Sequence, residues 1–340
     1  MKLLVTIPDG VTKEEFLTGE TLALLEDNFE VTYNGLGRNY TQEEMYLAAE
    51  NADIVLTGWG SPSFIGGPFE KCKSLKLIAH TAGSVADLVD ENIYAHGIRV
   101  ISGNRYFAES VAEGTIAYMM TALRRIPDDV RDMKNGVLWK NAERLTGGLL
   151  GRDVGIVGFG MISKYVIEML KPFGAKVKIY SAYPIDKDFL EKTGAVQVSL
   201  PEVFGCSIVS VHSALSERTR GMIGKELLEL MPNGAIFINT SRGAIVKEDE
   251  LIEVLRSERI FALLDVFENE PPELSSPLRS LDNVYPIPHR AGPTNDRRSY
   301  IGRQVALDII SFKNGEELKC EITSGYAKRM TKSIRNISSK

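Results

Sequence analysis

Three segments of the sequence place a chemically capable side chain just past the end of an apolar run. Arg242 follows GAIFINT in INTSRGAIV, Asp265 and Glu270 close LLDVFENEPP, and His289 follows NVYPI in YPIPHRAG, between Pro288 and Gly292. If the runs are parallel strands, all three spots open onto one crevice, because open parallel sheets bind ligands outside the carboxyl ends of their strands. The set suits reduction of a 2-keto acid. Hydride addition builds negative charge on the carbonyl oxygen, and an arginine can pair with the substrate carboxylate and polarise that carbonyl at once. A histidine, whose pKa lies near neutrality, can deliver the proton. A glutamate beside it favours the imidazolium and fixes the ring. Taken singly, Arg242 could be a surface capping residue, Glu270 a solvated loop carboxylate and His289 a satisfied loop histidine. Their joint placement after three strands of one sheet argues for a site.

A fourth segment, DVGIVGFGMISKYV, could hold the hydride carrier. Gly158 would make the tight turn after a strand. Gly160 would let the backbone approach a pyrophosphate, and the following helix would aim its first amides at the phosphates. This assigns Gly158, Phe159, Gly160, Met161 and Ile162 to a dinucleotide. Ser163 stands where a third glycine usually serves helix–strand packing, which predicts slightly looser packing. About 20 residues on, where a carboxylate ordinarily binds the ribose, the strand ends at Tyr180 and Ser181 follows. Its absence removes repulsion against a 2′-phosphate, yet no arginine follows at once, and Asp186 or Asp188 could fold back to the ribose. The cofactor is therefore NAD or NADP, with NAD favoured. His212, Thr240 and Ser241, at the ends of neighbouring runs, and His289 itself join the cofactor set.

The elements that must position these residues alternate along the chain. In the N-terminal part, apolar runs at 2–8, 53–58, 75–83 and 98–102 read as strands buried on both faces. Thr12 with Glu15, and Thr41 with Glu44, read as capping boxes opening helices. A long helix over 108–125 is bounded by Pro127, and a polar, glycine-dotted arm carrying Trp139 follows. Strands at 154–158, 175–180, 206–212, 234–240, 260–267 and 283–287 then alternate with helices. The pattern predicts an α/β protein of two doubly wound parallel sheets. Residues 1–104 and 291–325 would form a flavodoxin-like substrate domain, 105–290 an inserted Rossmann cofactor domain, and 326–340 a frayed tail.

The 340 residues are 44% hydrophobic and 25% charged, with net charge −5. This balance gives no general attraction to nucleic acid or to an anionic membrane. No run approaches the roughly 20 apolar residues of a membrane-spanning helix, and the start has no signal-peptide pattern. Cys72, Cys206 and Cys320 fit neither a disulfide framework nor a metal site and read as buried thiols in a reducing cytoplasm.

At these residues the sequence resembles the D-isomer-specific 2-hydroxyacid dehydrogenases. The stretches that carry the resemblance are GIVGFG, VSVHSALSERTRGMIG, MPNGAIFINTSRGAIV, LLDVFENEP and PHRAG. It implies that Arg242 binds substrate, that Glu270 pairs with His289 as the proton donor, and that Asp265 contacts the nicotinamide carboxamide. Backbone around Gly83, Ser84 and Val85 would hold the substrate carboxylate. It also implies a homodimer built through the cofactor domains. Chain length past residue 320 disfavours the long phosphoglycerate dehydrogenases, so glyoxylate or hydroxypyruvate is the expected substrate. Tyr106, Phe107 and Trp59 are unusual beside the substrate loop. The competing expectation is a non-enzymatic dinucleotide-sensing corepressor or scaffold on the same fold.

Overall fold

Alternate side chains of each apolar run turn to opposite sides of a sheet, and here both sides are covered. Strands β1 (Lys2–Val5), β2 (Glu30–Tyr33), β3 (Ile54–Thr57), β4 (Leu77–His80) and β5 (Arg99–Ser102) pair in parallel in the order β2-β1-β3-β4-β5. Leu3, Val5, Leu56 and Ala79 enter one apolar cluster, and Leu4, Val55, Ile78 and Val100 enter another. That is why these runs show no polar alternation. This computed structural model describes residues 1–68 and 71–331. The chain divides into two units, Met1–Ala108 with Pro293 onward, and Glu109–Gly292.

The second unit is a seven-stranded parallel sheet. Its strands are β6 (Asp153–Val157), β7 (Lys176–Tyr180), β8 (Val196–Gln197), β9 (Ile208–Val211), β10 (Ile236–Asn239), β11 (Phe261–Leu264) and β12 (Val284–Pro286). They lie in the order β8-β7-β6-β9-β10-β11-β12. The order reverses between β6 and β9, which creates the crevice where such sheets bind nucleotides. The first unit has the flavodoxin-like order and the second the Rossmann order, extended by one strand.

Several local expectations are corrected. The segment expected to be one helix opening at Thr12 is two helices, Val11–Phe16 and Gly19–Glu26. Thr12 lies inside the first rather than capping it. Thr18 caps the second, accepting from the Thr21 amide at 3.4 Å. The break lets Phe16 and Leu17 both reach the core, 1% and 2% exposed. Glu15 instead accepts from Asn295 at 2.6 Å and pairs with Arg298. The Thr41–Glu44 capping box forms as read. Pro127 both ends the long helix, Asn104–Leu123, and sits in the first turn of a new one, Ile126–Lys134, after Arg125 turns left-handed at φ 56°. The stretch read as frayed from 326 is packed as far as 331: Ala327 is buried, and Tyr326 Oη accepts from Asn104 Nδ2 at 3.0 Å. Residues 332–340 lie outside the described residues.

Candidate active site

Strands β10, β11 and β12 are consecutive in the chain and adjacent in the sheet, so their carboxyl-end loops emerge side by side. Arg242 leaves the first loop. Gly243 behind it is pressed against the next loop: a Cβ there would stand 1.9 Å from the Phe267 carbonyl carbon. Glu270 leaves the second loop and accepts a hydrogen bond from the Phe267 amide at 3.2 Å. His289 leaves the third, with Nδ1 2.8 Å from Glu270 Oε2. The sequence-predicted trio is thus carried on three neighbouring loops of one unit.

The electrostatics follow from the pairing. The Glu270 hydrogen bond raises the His289 pKa above its ordinary 6.5 against the opposing effect of burial; the charges of Glu270 and Asp265 add to the rise, and Arg242 opposes it. Burial pushes the Glu270 carboxyl up, but His289, the Phe267 amide and Arg242 outweigh that, so its pKa falls below the ordinary value. The imidazole remains accessible, its side chain 52% exposed against 28% for Glu270. His289 has φ 52°, a left-handed conformation that is sparsely populated by residues other than glycine and costs on the order of 1–3 kcal/mol. Such a conformation persists only where its surroundings hold it.

Asp265 supplies that hold. Its side chain is buried, 1% exposed. Oδ1 accepts from the Arg290 amide at 2.6 Å, the Ala291 amide at 3.0 Å and the Tyr118 hydroxyl at 2.8 Å. Its backbone carbonyl accepts from the His289 amide at 3.0 Å. This carboxylate, read from the sequence as a cofactor contact, is also the clamp of the histidine loop. Tyr118 was not read from the sequence as functional. Its only signal there is a phenol on the apolar face of a helix, a pattern that usually means packing.

The glycine turn has a tight side and an open side. Gly158 has φ 100°, and a Cβ there would lie 2.8 Å from the Ser213 backbone. Nothing lies within 4 Å of a Cβ placed on Gly160. The protein's own packing therefore does not require glycine at 160, whereas a close-approaching ligand would. Phe159 lies between them, and Met161 and Ile162 open the helix Met161–Leu170. Ser163 corrects the expectation of looser packing: it is fully buried, and its Oγ donates to the Gly158 carbonyl at 2.7 Å and accepts from the Gly160 amide at 3.4 Å. The serine ties the turn to its helix.

Beyond β7, Ser181 Oγ accepts from the Tyr183 amide at 3.2 Å, and Gln197 donates to the Ser181 and Tyr183 carbonyls. Asp186 caps the helix Lys187–Thr193 through the Asp188 amide at 2.8 Å. His212 is buried against Ser210 Oγ at 2.9 Å, and burial drops its pKa to about 3. Thr240 Oγ1 lies 3.2 Å from Thr115 Oγ1, and the Ser241 hydroxyl donates to Asn239 Oδ1 at 2.8 Å.

In the first unit, the Gly83 carbonyl accepts from Ser102 Oγ at 2.7 Å, Ser84 Oγ donates to the Thr331 carbonyl at 2.7 Å, and Val85 is buried. Trp59 stands edge-on to Phe16 and Phe107, centroids 5.1 and 6.0 Å away, and Tyr106 packs edge-on to Tyr300. The three cysteines are buried free thiols, their pKa values raised chiefly by burial. Among the described residues, no cluster of His, Cys, Asp or Glu is placed to hold a metal, and no helix is long and apolar enough to cross a membrane.

Comparison with known proteins bears on this geometry. The family model described as "D-isomer specific 2-hydroxyacid dehydrogenase, NAD binding domain" matches residues 116–291. The chain is 32% identical over 320 residues to D-3-phosphoglycerate dehydrogenase of Methanocaldococcus jannaschii, a match covering 93% of this chain and 58% of that protein. It is 33% identical over 318 residues to glyoxylate reductase of Aeropyrum pernix, covering 90% of this chain and 92% of that one. A solved phosphoglycerate oxidoreductase from Rhizobium etli shares the fold, with TM-score 0.77 at 24% identity over 95% of this chain and 99% of its own.

Proposed function

The chain belongs to the D-isomer-specific 2-hydroxyacid dehydrogenase family, and from that premise we propose that it is an NAD(P)-dependent oxidoreductase interconverting a small 2-keto acid and its D-2-hydroxy acid. The observation that carries the reading is the 2.8 Å contact of His289 Nδ1 with Glu270. Held this way, the imidazole keeps its proton to higher pH than an unpaired one and leaves Nε2 to deliver it to the carbonyl oxygen. Arg242 grips the substrate carboxylate and polarises the carbonyl; the backbone at Gly83, Ser84 and Val85 is the candidate substrate contact of the first unit. The nicotinamide supplies the hydride. Gly158, Phe159, Gly160, Met161 and Ile162 would hold its pyrophosphate, Ser181 would meet the adenine ribose, and His212, Thr240, Ser241 and Asp265 would serve the nicotinamide side. A dinucleotide sensor would need the glycine turn but not a hydrogen-bonded acid–base pair, so the pair favours the enzyme.

NAD is favoured over NADP, since no arginine stands between Ser181 and Lys187 to attract a 2′-phosphate. Glyoxylate and hydroxypyruvate are the first substrates to test. A homodimer through the second unit is supported by apolar side chains exposed on residues 126–150, Leu138 at 94% and Trp139 at 73% among them. The setting is cytoplasmic, with neither nucleic acid nor membrane as partner. The test is tryptophan fluorescence with NADH and NADPH side by side, then loss of reduced-nicotinamide absorbance with a panel of small 2-keto acids. NADH binding with oxidation by one keto acid is expected. Binding of neither cofactor would refute the reading, and tighter NADPH binding would reverse the cofactor preference.

A further inference from the structure

One helix reaches all three catalytic loops. On Asn104–Leu123, Thr115 Oγ1 lies 3.2 Å from Thr240, two residues before Arg242. Tyr118 donates to Asp265 at the end of β11 at 2.8 Å. A Cβ on Gly114 would stand 2.9 Å from the Ala291 carbonyl oxygen, two residues after His289. Gly114 and Tyr118 are four residues apart and so share a helix face. The glycine lets the helix settle onto the histidine loop, and one turn on the phenol meets the carboxylate that holds that loop. We propose that Tyr118 is a positioning residue for the proton donor, acting through Asp265 to keep the His289 loop in its left-handed conformation and the imidazole on Glu270.

The proposal rests on the reading of His289 as proton donor. Its physical basis is the hydrogen-bond balance of a buried carboxylate. Asp265 takes the amides of Arg290 and Ala291 and the hydroxyl of Tyr118. A buried carboxylate that loses a donor shifts towards whatever polar groups remain, and here those are the amides of the His289 loop itself. Burial raises the Tyr118 pKa, with the Asp265 charge adding to it, so the phenol keeps its proton and stays a donor. The charged groups facing His289 are Glu270, Asp265 and Arg242, with Arg290 beside it in the chain. A shift of the loop carries the imidazole off Glu270, and without that hydrogen bond the His289 pKa falls back.

The test is Tyr118→Phe in the full chain. Misplacing a catalytic group by even ~1 Å can lower turnover by up to ~100-fold. The expected result is a kcat for keto-acid reduction down roughly 10-fold or more, with the pH at which reduction falls off moved downward. The keto-acid KM should change little. Proton NMR reads the same shift without turnover. The chain has four histidines, and burial lowers the pKa of His80 to about 4 and of His212 to about 3, whereas that of His289 is raised; loss of its resonance in His289→Ala assigns it. Tyr118→Met, which also removes the hydroxyl and leaves the Asp265 charge in place, should displace the His289 titration in the same direction, and serves if the phenylalanine variant does not fold. Wild-type kcat and titration in Tyr118→Phe would overturn the proposal. So would an equal displacement from Thr115→Val, which removes a neighbouring hydrogen bond of the same helix without touching Asp265. His289→Ala run in parallel separates the two ideas: if it retains kcat, the proton-donor reading has failed.

Discussion

The proton on His289 is governed by two opposed charges. Glu270 lifts its pKa and Arg242 lowers it, with the net shift upward. Reduction of a keto acid needs the imidazolium. Its rate should be full below the raised pKa and decline as pH rises through it, while oxidation of the hydroxy acid, which needs the neutral ring, should rise over the same interval. A reduction rate that climbs through neutral pH would contradict the assignment. His289→Ala should lower turnover by at least ~100-fold, with cofactor binding near normal in fluorescence titration. The placement of Arg242, Glu270 and His289 on neighbouring loops was legible in sequence because each follows an apolar run that forms a strand. Ser163 was only half legible. Its small size could be read, but its bond to the Gly158 carbonyl depends on a rotamer that spacing does not reveal.

Among the elements, the contact between the β10 and β11 loops is the most exacting. Gly243 has no room for a methyl group against Phe267. Gly243→Ala should destabilise the protein by about 3 kcal/mol or more in denaturant unfolding, and should disturb Arg242 and Glu270 together. A midpoint within experimental error of the wild type would show that the loops yield. The central strands were legible because both faces are covered, which leaves uninterrupted apolar runs. Among the elements missed, β8, of two residues, and the helices Glu91–Ala95, Leu200–Phe204 and Ser324–Ala327 are too short for a periodic pattern to reveal them. The helix Ile126–Lys134 was missed because Pro127, which sits in its first turn, reads as a stop. The split of the first helical segment was missed because Thr12 and Glu15 imitate a capping box, while Thr18 holds the functional cap.

For the whole molecule, exposed apolar side chains on residues 126–150 make assembly the property to measure. Size-exclusion chromatography with light scattering should show a dimer, and Leu138→Asp or Trp139→Asp should yield monomer. A wild-type monomer at micromolar concentration would refute this. The two α/β units were legible from the alternation of runs and helices. The order of strands within each sheet was not, since pairing is set by contacts between residues far apart in the chain. The chain enters the second unit at Glu109 and leaves it at Gly292, and the close approach of Gly114 to Ala291 brings the entering helix and the departing loop together. A segment whose two ends meet can be transplanted as a cassette. Joining it to a host takes two neighbouring junctions and no long connector. The glycine turn, the arginine and the acid–base pair would all travel inside it.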